Sequence, residues 1–108
     1  MIYEWRKYEV LPGKMTALQE AMEKVVPLFE ELKMTLIGAW LPIIGDYTNN
    51  FQYLMAFEDM SDREQKWQAF FAHPTWEMIL KDMRNNHGQL IYRDHSSFLA
   101  PVPTSPLQ

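Results

Sequence analysis

Three side chains that can do chemistry alternate along the N-terminal segment. Glu4, Arg6 and Tyr8 are spaced two residues apart, and a β-strand places residues at that spacing on one face. On a covered face, a carboxylate and a guanidinium must pair with each other or line a cavity. The spacing leaves two interpretations open. One is a structural ion pair, and the other is a corner that binds an anion or a carbonyl group, with Arg6 as the donor.

The other candidates are a tryptophan and a histidine that could face a pocket. Trp40 could stack over a flat ligand or belong to the core. His95 lies in a segment that reads as a strand, and it is the best placed of the histidines for a pocket. His73 and His87 are expected to cap helices or to be solvated. The histidines form no helical i,i+4 pair, and the chain has no cysteine, so we predict no metal site and no cofactor.

Composition narrows the class of protein. The chain has 108 residues and a formal net charge of −4, which predicts one domain over residues 1–100 and argues against a nucleic-acid partner. Residues 101–108 are rich in proline and read as a tail. The N-terminal residues lack the apolar run of a signal peptide, and no stretch approaches the ~20 apolar residues of a membrane span. We therefore expect a cytoplasmic protein.

The elements that must position these residues follow from periodicity. Strands are predicted over residues 2–10, 35–44, 51–57 and 90–99, with a turn at 45–50. The first helix carries apolar residues at steps of three and four, through Phe29 to Leu32, and should kink or break near residues 24–26 because Pro27 lies within it. The second helix should begin with a capping box from Ser61 to Glu64. It should break at His73 and restart at the proline that follows.

This order is the ferredoxin-like β-α-β-β-α-β arrangement, an α+β fold with a four-stranded antiparallel sheet. Its helices cover only one face of the sheet, yet the strands show no clean polar face. We therefore expect a homodimer in which two sheets face each other. Side chains alternate between the two faces of the first strand, so the sequence leaves open which face points to the cavity. Either Glu4 and Arg6 line an internal site, or they form ion pairs across the dimer while Tyr3 and Trp5 face the cavity.

Several short motifs are spread over roughly residues 2–98. They are Tyr3-Glu-Trp-Arg6, Tyr8, Pro12-Gly-Lys14, Gly38-Ala-Trp40, Gly45, Asn49, Leu54–Phe57, Asp59, Arg63-Glu64, Phe71 and Pro74-Thr-Trp76. In their order and spacing, these motifs together resemble the NIPSNAP family. The hairpin is one residue longer than the family pattern, so Asn49 or Asn50 could hold the family position. Arg63 lies near the start of a helix, where a cation is unfavourable. Its match to the family therefore indicates a specific salt bridge, with Glu58 and Asp59 as the candidate partners.

The resemblance implies membership of the dimeric α+β barrel superfamily, which supports the dimer, but it implies little about chemistry. Relatives in that superfamily include cofactor-independent oxygenases and haem-degrading enzymes, which use asparagine, tryptophan and histidine side chains in a pocket between helices and sheet. Asn49, Trp40 and His95 supply these residue types. The alternatives are therefore a protein that binds a small apolar or aromatic molecule, an oxygenase-like enzyme, and a non-catalytic structural dimer. We favour the first, with Glu4, Arg6, Tyr8, Trp40, Asn49 and His95 as candidate ligand-binding residues.

Overall fold

The fold is an antiparallel sheet with helices packed on one face. A computed structural model describes residues 1–45 and 47–108. Its elements are β1 (Ile2–Val10), α1 (Met15–Glu31), β2 (Thr35–Trp40), β3 (Asn50–Phe57), α2 (Met60–Ala72), α3 (Pro74–His87) and β4 (Ile91–Leu99). The four strands run in the order β2-β3-β1-β4, with every neighbouring pair antiparallel. This confirms the predicted fold class. It also makes β1, which carries Glu4, Arg6 and Tyr8, a central strand of the sheet.

The main core lies between the helices and the sheet. Phe29 of α1 is 1% exposed, as its place in the apolar stripe predicted. It packs against Tyr53 of β3 and against Trp67 and Phe70 of α2, with ring centroids 5.4–6.4 Å apart. The predicted break between the last two helices is confirmed at His73, whose Nδ1 accepts from the Thr75 N–H at 3.1 Å and caps α3. The break lets two short helices cover the area that one straight helix would leave open.

Pro27 does not break the first helix, contrary to the prediction. α1 runs from Met15 to Glu31 with Pro27 inside it. Pro27 itself is exposed, while Val25, Leu28 and Phe29 around it are buried. We attribute the continuity to these buried side chains, which hold the helix on the sheet and offset the single backbone hydrogen bond that a proline removes.

The second helix begins two residues earlier than the predicted capping box. Asp59 is its N-cap, and the Asp59 Oδ1 accepts from the Asp62 N–H at 2.8 Å. The Asp62 carboxylate reaches back to accept from the Glu58 N–H at 2.9 Å. Ser61 therefore lies within the helix, where its hydroxyl accepts from Gln65 at 3.3 Å. Aspartate caps as well as serine does, so the same spacing of polar residues works from Asp59.

The second strand is shorter than predicted and ends at Trp40 rather than at residue 44. Pro42 cannot donate to a strand ladder, which explains the early end. In the segment that follows, Ile43 and Ile44 are 93% and 91% exposed. Asp46, in the predicted turn, lies outside the described residues.

The face of the sheet away from the helices carries a small second cluster of apolar residues. Tyr3, Leu54 and Ala56 are buried there, with Trp5 packed against them. The C-terminal tail folds back to this side, where the Tyr3 hydroxyl donates to the Gln108 carbonyl at 2.7 Å. Among the residues that the structure describes, no helix is both long and apolar enough to cross a membrane.

Candidate functional site

The Glu4 carboxylate is the centre of a buried polar cluster on the helix-facing side of the sheet. Its side chain is 0% exposed. Oε1 accepts from Arg63 Nε at 3.1 Å and from Trp67 Nε1 at 2.9 Å. Oε2 accepts from Arg6 Nη1 at 3.0 Å, Arg63 Nη2 at 3.1 Å and Ser96 Oγ at 3.2 Å. The lone pairs of the carboxylate are therefore occupied by donors from β1, α2 and β4.

These donors keep Glu4 ionised despite its burial. Burial by itself would raise the pKa of the Glu4 carboxyl. The hydrogen bonds from Arg63 and Trp67, together with the nearby Arg6 charge, more than offset this and hold the pKa below its usual value. Glu4 therefore carries a negative charge at neutral pH. Because two guanidinium groups surround one carboxylate, the cluster keeps one positive charge uncompensated.

Arg6 links this cluster to two phenols. Arg6 Nε donates to the Tyr53 oxygen at 2.7 Å, and Arg6 Nη2 donates to the Tyr8 oxygen at 3.3 Å. The two phenol oxygens are 2.6 Å apart, within hydrogen-bond distance of each other. The guanidinium carbon also lies 4.8 Å from the centroid of the Trp67 ring, a cation–π distance. We call Arg6, Tyr8 and Tyr53 the polar corner.

The protonation states of Arg6 and Tyr53 are fixed at neutral pH. Burial would lower the pKa of Arg6, but Tyr53, Tyr8 and Glu4 outweigh it, and the pKa is raised overall. Burial and the neighbouring Tyr8 raise the pKa of Tyr53 well above its usual value. Arg6 is therefore a cation and Tyr53 a neutral phenol. The polar corner therefore provides the positive charge of Arg6 and the neutral phenol of Tyr53.

A cavity of about 630 Å³ lies between the helices and the sheet and reaches the polar corner. We call it the aromatic pocket. Its walls are mostly apolar and aromatic, and the residues that line it are Arg6, Tyr8, Leu18, Ala21, Met22, Val25, Phe29, Tyr53, Trp67, Phe70, Phe71, Trp76, Leu80, Met83, Arg84, Gly88, Gln89, Leu90, Ile91 and Asp94. Arg84, Gln89 and Asp94 are themselves exposed, so the pocket opens to solvent beside them. The polar corner lies inside it.

The structure brings half of the candidate residues together. Arg6 and Tyr8 line the aromatic pocket, and Glu4 holds Arg6. Glu4 and Arg6 therefore face the helix side of the sheet, as in the first of the two orientations permitted by the sequence, but of these two only Arg6 lies in the pocket wall. Tyr3 and Trp5 lie on the opposite face of the sheet, so the expectation that they face the cavity is wrong. Arg6 both pairs with Glu4 and lies in the pocket wall.

The remaining candidates lie away from the pocket. Trp40 stacks on Trp5 on the other face of the sheet, with ring centroids 5.6 Å apart and planes inclined by 4°. His95 Nε2 lies 2.7 Å from the Glu9 carboxylate on that same face. Asn49 is half-buried and donates to the Val10 carbonyl, which ties the end of β1 to the loop before β3. Trp40, Asn49 and His95 thus do not converge on one point.

Sequence reasoning missed four members of the site. Nothing in the sequence around Tyr53 indicates a site, because the residue only continues an apolar strand. No sequence feature singles out Ser96. The sequence around Trp67 indicates only a core tryptophan, although a buried indole N–H needs an acceptor and could have suggested one. Arg63 was singled out, but its partner is Glu4 rather than Glu58 or Asp59. The partner lies 59 residues away in sequence, and no local argument reaches it.

No metal-binding geometry is found in the part of the chain that the structure describes. Within residues 1–45 and 47–108, no group of three or more His, Asp or Glu side chains is placed to hold one ion. The polar corner consists of a guanidinium and phenols, which are not ligands that common metal ions prefer. Its chemistry is hydrogen-bond donation to an oxygen in an otherwise apolar cavity.

Comparison with known proteins places the chain in a family. The NIPSNAP family model matches residues 3–106. The zebrafish (Danio rerio) Protein NipSnap homolog 1 is 27% identical over 107 residues, which are 99% of this chain and 36% of that protein. The chain thus spans about a third of the length of this curated relative.

Solved structures agree with the family match. A NIPSNAP family protein of unknown function from Agrobacterium tumefaciens is 26% identical, covers 100% of this chain and 94% of its own, and has a TM-score of 0.86. An uncharacterized NIPSNAP-like domain protein from Burkholderia xenovorans is 26% identical over 97% of this chain and 88% of its own, with a TM-score of 0.82. An antibiotic biosynthesis monooxygenase shares the fold at 9% identity, with a TM-score of 0.63 over 95% of this chain and 100% of its own. The chain belongs to the NIPSNAP family.

Proposed function

We propose that this protein binds a small apolar or aromatic molecule in the aromatic pocket. The observation that supports the proposal is the cavity of about 630 Å³, which the surrounding tryptophan and methionine side chains line without filling. Ligand sites commonly measure roughly 300–1,000 Å³, with apolar walls and a few convergent polar groups. The polar corner supplies such groups at one place in the wall. The net positive charge of the adjoining Glu4 cluster, which includes Arg6, suits a ligand oxygen that is anionic or polarised.

The proposal is limited to binding and includes no reaction. The oxygenase-like alternative relied on Trp40, Asn49 and His95 in one pocket, and these residues lie elsewhere. A purely structural dimer would have no need to leave an aromatic cavity open beside a buried arginine. Binding is therefore the function that the geometry supports best.

The four tryptophans allow a direct test, because two line the pocket and two lie on the other face. Trp67 and Trp76 line the aromatic pocket, whereas Trp5 and Trp40 stack on the opposite side of the sheet. The protein is labelled with ¹⁵N and titrated with 2-acetylnaphthalene, a flat probe that the cavity can hold. The four indole N–H signals are assigned from single Trp→Phe variants. We expect the signals of Trp67 and Trp76 to shift with saturation while those of Trp5 and Trp40 do not.

Three results would contradict the proposal. If all four indole signals stay unchanged up to the solubility limit of the probe, the pocket does not bind such molecules. If only the signals of Trp5 and Trp40 move, the probe binds the sheet face and the pocket assignment is wrong. Movement of Trp76 together with loss of cross-peaks throughout the spectrum would indicate unfolding, which also counts against a binding site.

We also propose that two copies of the chain pair through the sheet face away from the helices. Ile37 and Trp40 are 40% and 48% exposed, and the neighbouring Leu41 is 43% exposed, so an apolar patch follows the outer strand. Contiguous apolar surface of this kind usually marks an interface. Two such faces should bury well over ~1,500 Å² in total.

Light scattering at micromolar concentration tests the pairing. We expect a dimer for the wild type and a monomer for Trp40→Glu. Met78→Glu is the matched control, because Met78 is 67% exposed on α3, on the side away from the proposed interface. A monomeric wild type, or a Trp40→Glu variant that remains dimeric, would refute the pairing through this face.

A further inference from the structure

The two phenols of the polar corner, Tyr8 and Tyr53, differ in which hydrogen-bonding groups they leave free. Each phenol has one O–H donor and two lone pairs. Arg6 occupies one lone pair on Tyr53 and one on Tyr8. The contact of 2.6 Å between the two oxygens is a hydrogen bond in which one phenol donates and the other accepts. The phenol that accepts has then used both of its lone pairs and keeps a free hydrogen.

Burial decides which phenol donates. Tyr53 is 1% exposed, whereas Tyr8 is only half-buried. A buried O–H without an acceptor costs more than a buried oxygen with one lone pair unused. Tyr53 therefore donates to Tyr8. Tyr8 in turn directs its own hydrogen to the pocket and has no lone pair left for a ligand.

The Arg6 guanidinium, like Tyr8, offers hydrogen-bond donors and no acceptor. Nε contacts Tyr53, Nη1 contacts Glu4 and Ser96, and Nη2 contacts Tyr8. An arginine has five N–H donors and no acceptor, so an Nη2 hydrogen remains without a partner among the described residues. At the polar corner, Arg6 and Tyr8 thus offer donors only.

From this count we propose that the aromatic pocket selects ligands whose polar end is a hydrogen-bond acceptor without a hydrogen of its own, such as a ketone or another carbonyl group. The inference rests on the proposed binding function and adds the chemical class of the ligand. Arg6 is the specificity-determining residue, because it occupies the lone pair on Tyr8 that a ligand hydroxyl would need there. The one lone pair left on Tyr53 belongs to a side chain that is only 1% exposed. At Tyr8, a ligand hydroxyl would find an acceptor only if Tyr8 donated to Tyr53, which would leave the Tyr53 hydrogen buried without an acceptor.

The test compares two probes of nearly equal size, 2-acetylnaphthalene and 1-(2-naphthyl)ethanol. The ketone only accepts, whereas the alcohol also donates. Dissociation constants are measured by equilibrium dialysis, with the Trp67 and Trp76 indole signals confirming the location of binding. We expect the ketone to bind about tenfold more tightly, the factor that one unmatched buried donor produces. This ratio is measured on the wild-type protein and needs no variant.

Arg6→Met tests the role assigned to Arg6. Without the guanidinium, Tyr8 regains a lone pair and can accept from the alcohol, so the ratio of the two dissociation constants should fall towards one. Because the ratio is compared between proteins, the different hydration of the free probes cancels. Arg84→Met is the matched control, since Arg84 also lines the pocket but makes no contact with the phenols, and it should keep the wild-type ratio.

The outcomes separate the two proposals. If the wild type binds both probes in the pocket with equal affinity, or binds the alcohol more tightly, the selectivity proposal is wrong and the binding function stands. An unchanged ratio in a folded Arg6→Met variant would show that Arg6 does not set the selectivity. If neither probe moves the Trp67 and Trp76 signals, the binding function itself fails and the selectivity fails with it.

Discussion

Replacement of Glu4 by glutamine tests the buried cluster most directly. Glu4→Gln keeps the size of the side chain and one acceptor oxygen, but it removes the charge and turns the other oxygen into an N–H donor. The carboxylate accepts from Arg6, Arg63, Trp67 and Ser96. After the change, the new amide hydrogens meet donors, and Arg6 and Arg63 lose the charge between them.

The expected cost is about 3–5 kcal/mol of unfolding free energy, the usual effect of removing one partner from a buried ion pair. That is a large fraction of the roughly 5–15 kcal/mol that stabilises a domain. At about 4 °C for each kcal/mol in a domain of this size, the melting temperature should fall by roughly 12–20 °C. The variant still folds if the free energy of unfolding of the wild type exceeds the lower end of the roughly 5–15 kcal/mol range.

Glu9→Gln is the matched control. Glu9 lies on the same strand but on the opposite face, where its carboxylate contacts His95 at 2.7 Å and Arg93 at 3.7 Å. It is partly exposed, so its loss should cost less than about 1 kcal/mol. Thermal and urea unfolding, followed by circular dichroism at one protein concentration, give both values. A Glu4→Gln variant no less stable than Glu9→Gln would refute the view that the Glu4 contacts hold α2 and the sheet together.

Three further predictions concern stability. The pKa of Glu4 is lower in the folded protein than its usual value of 4.5. Glu4 therefore stabilises the fold above pH 4.5, and this stabilisation is lost as the pH falls through the folded pKa. Between about pH 7 and 3, the free energy of unfolding measured in urea should fall more steeply in the wild type than in Glu4→Gln. Phe29→Ala should cost about 3–5 kcal/mol because the ring is 1% exposed, and an unchanged melting temperature would contradict its place in the core. Asp59→Ala should cost about 1 kcal/mol through the lost cap, whereas Ser61→Ala should cost only a few tenths; the reverse order in urea unfolding would restore Ser61 as the cap.

The sequence alone determined which residues of β1 act together. Alternation has a period of two in any strand, so Glu4, Arg6 and Tyr8 share a face whatever surrounds them. The apolar stripe of α1 and the break at His73 likewise depend on local geometry, and both are confirmed. Local rules cannot choose between equivalent caps, which is why the start of α2 moved from Ser61 to Asp59.

The tertiary structure alone decided what that face of β1 meets. Pairing with β3 and β4 sets Arg6 beside Tyr53 and Ser96, and the packing of α2 brings Arg63 and Trp67 onto Glu4. These partners are 47 to 90 residues apart in sequence, so no spacing rule could propose them. The aromatic pocket exists only because these distant elements meet around the polar corner.

Trp40 shows the same limit within one strand. Leu36 pairs with Met55 on the helix-facing side, but the register of β2 shifts between Leu36 and Gly38. Because of this shift, Leu36 and Trp40 lie on opposite faces of the sheet although they are four residues apart. Trp40 pairs with Gln52 and stacks on Trp5 on the face away from the helices. Gly38 permits this, because a Cβ there would lie 2.7 Å from the Trp40 ring. A bulge is an irregularity of strand pairing, so only the paired sheet could decide that Trp40 turns away from the pocket.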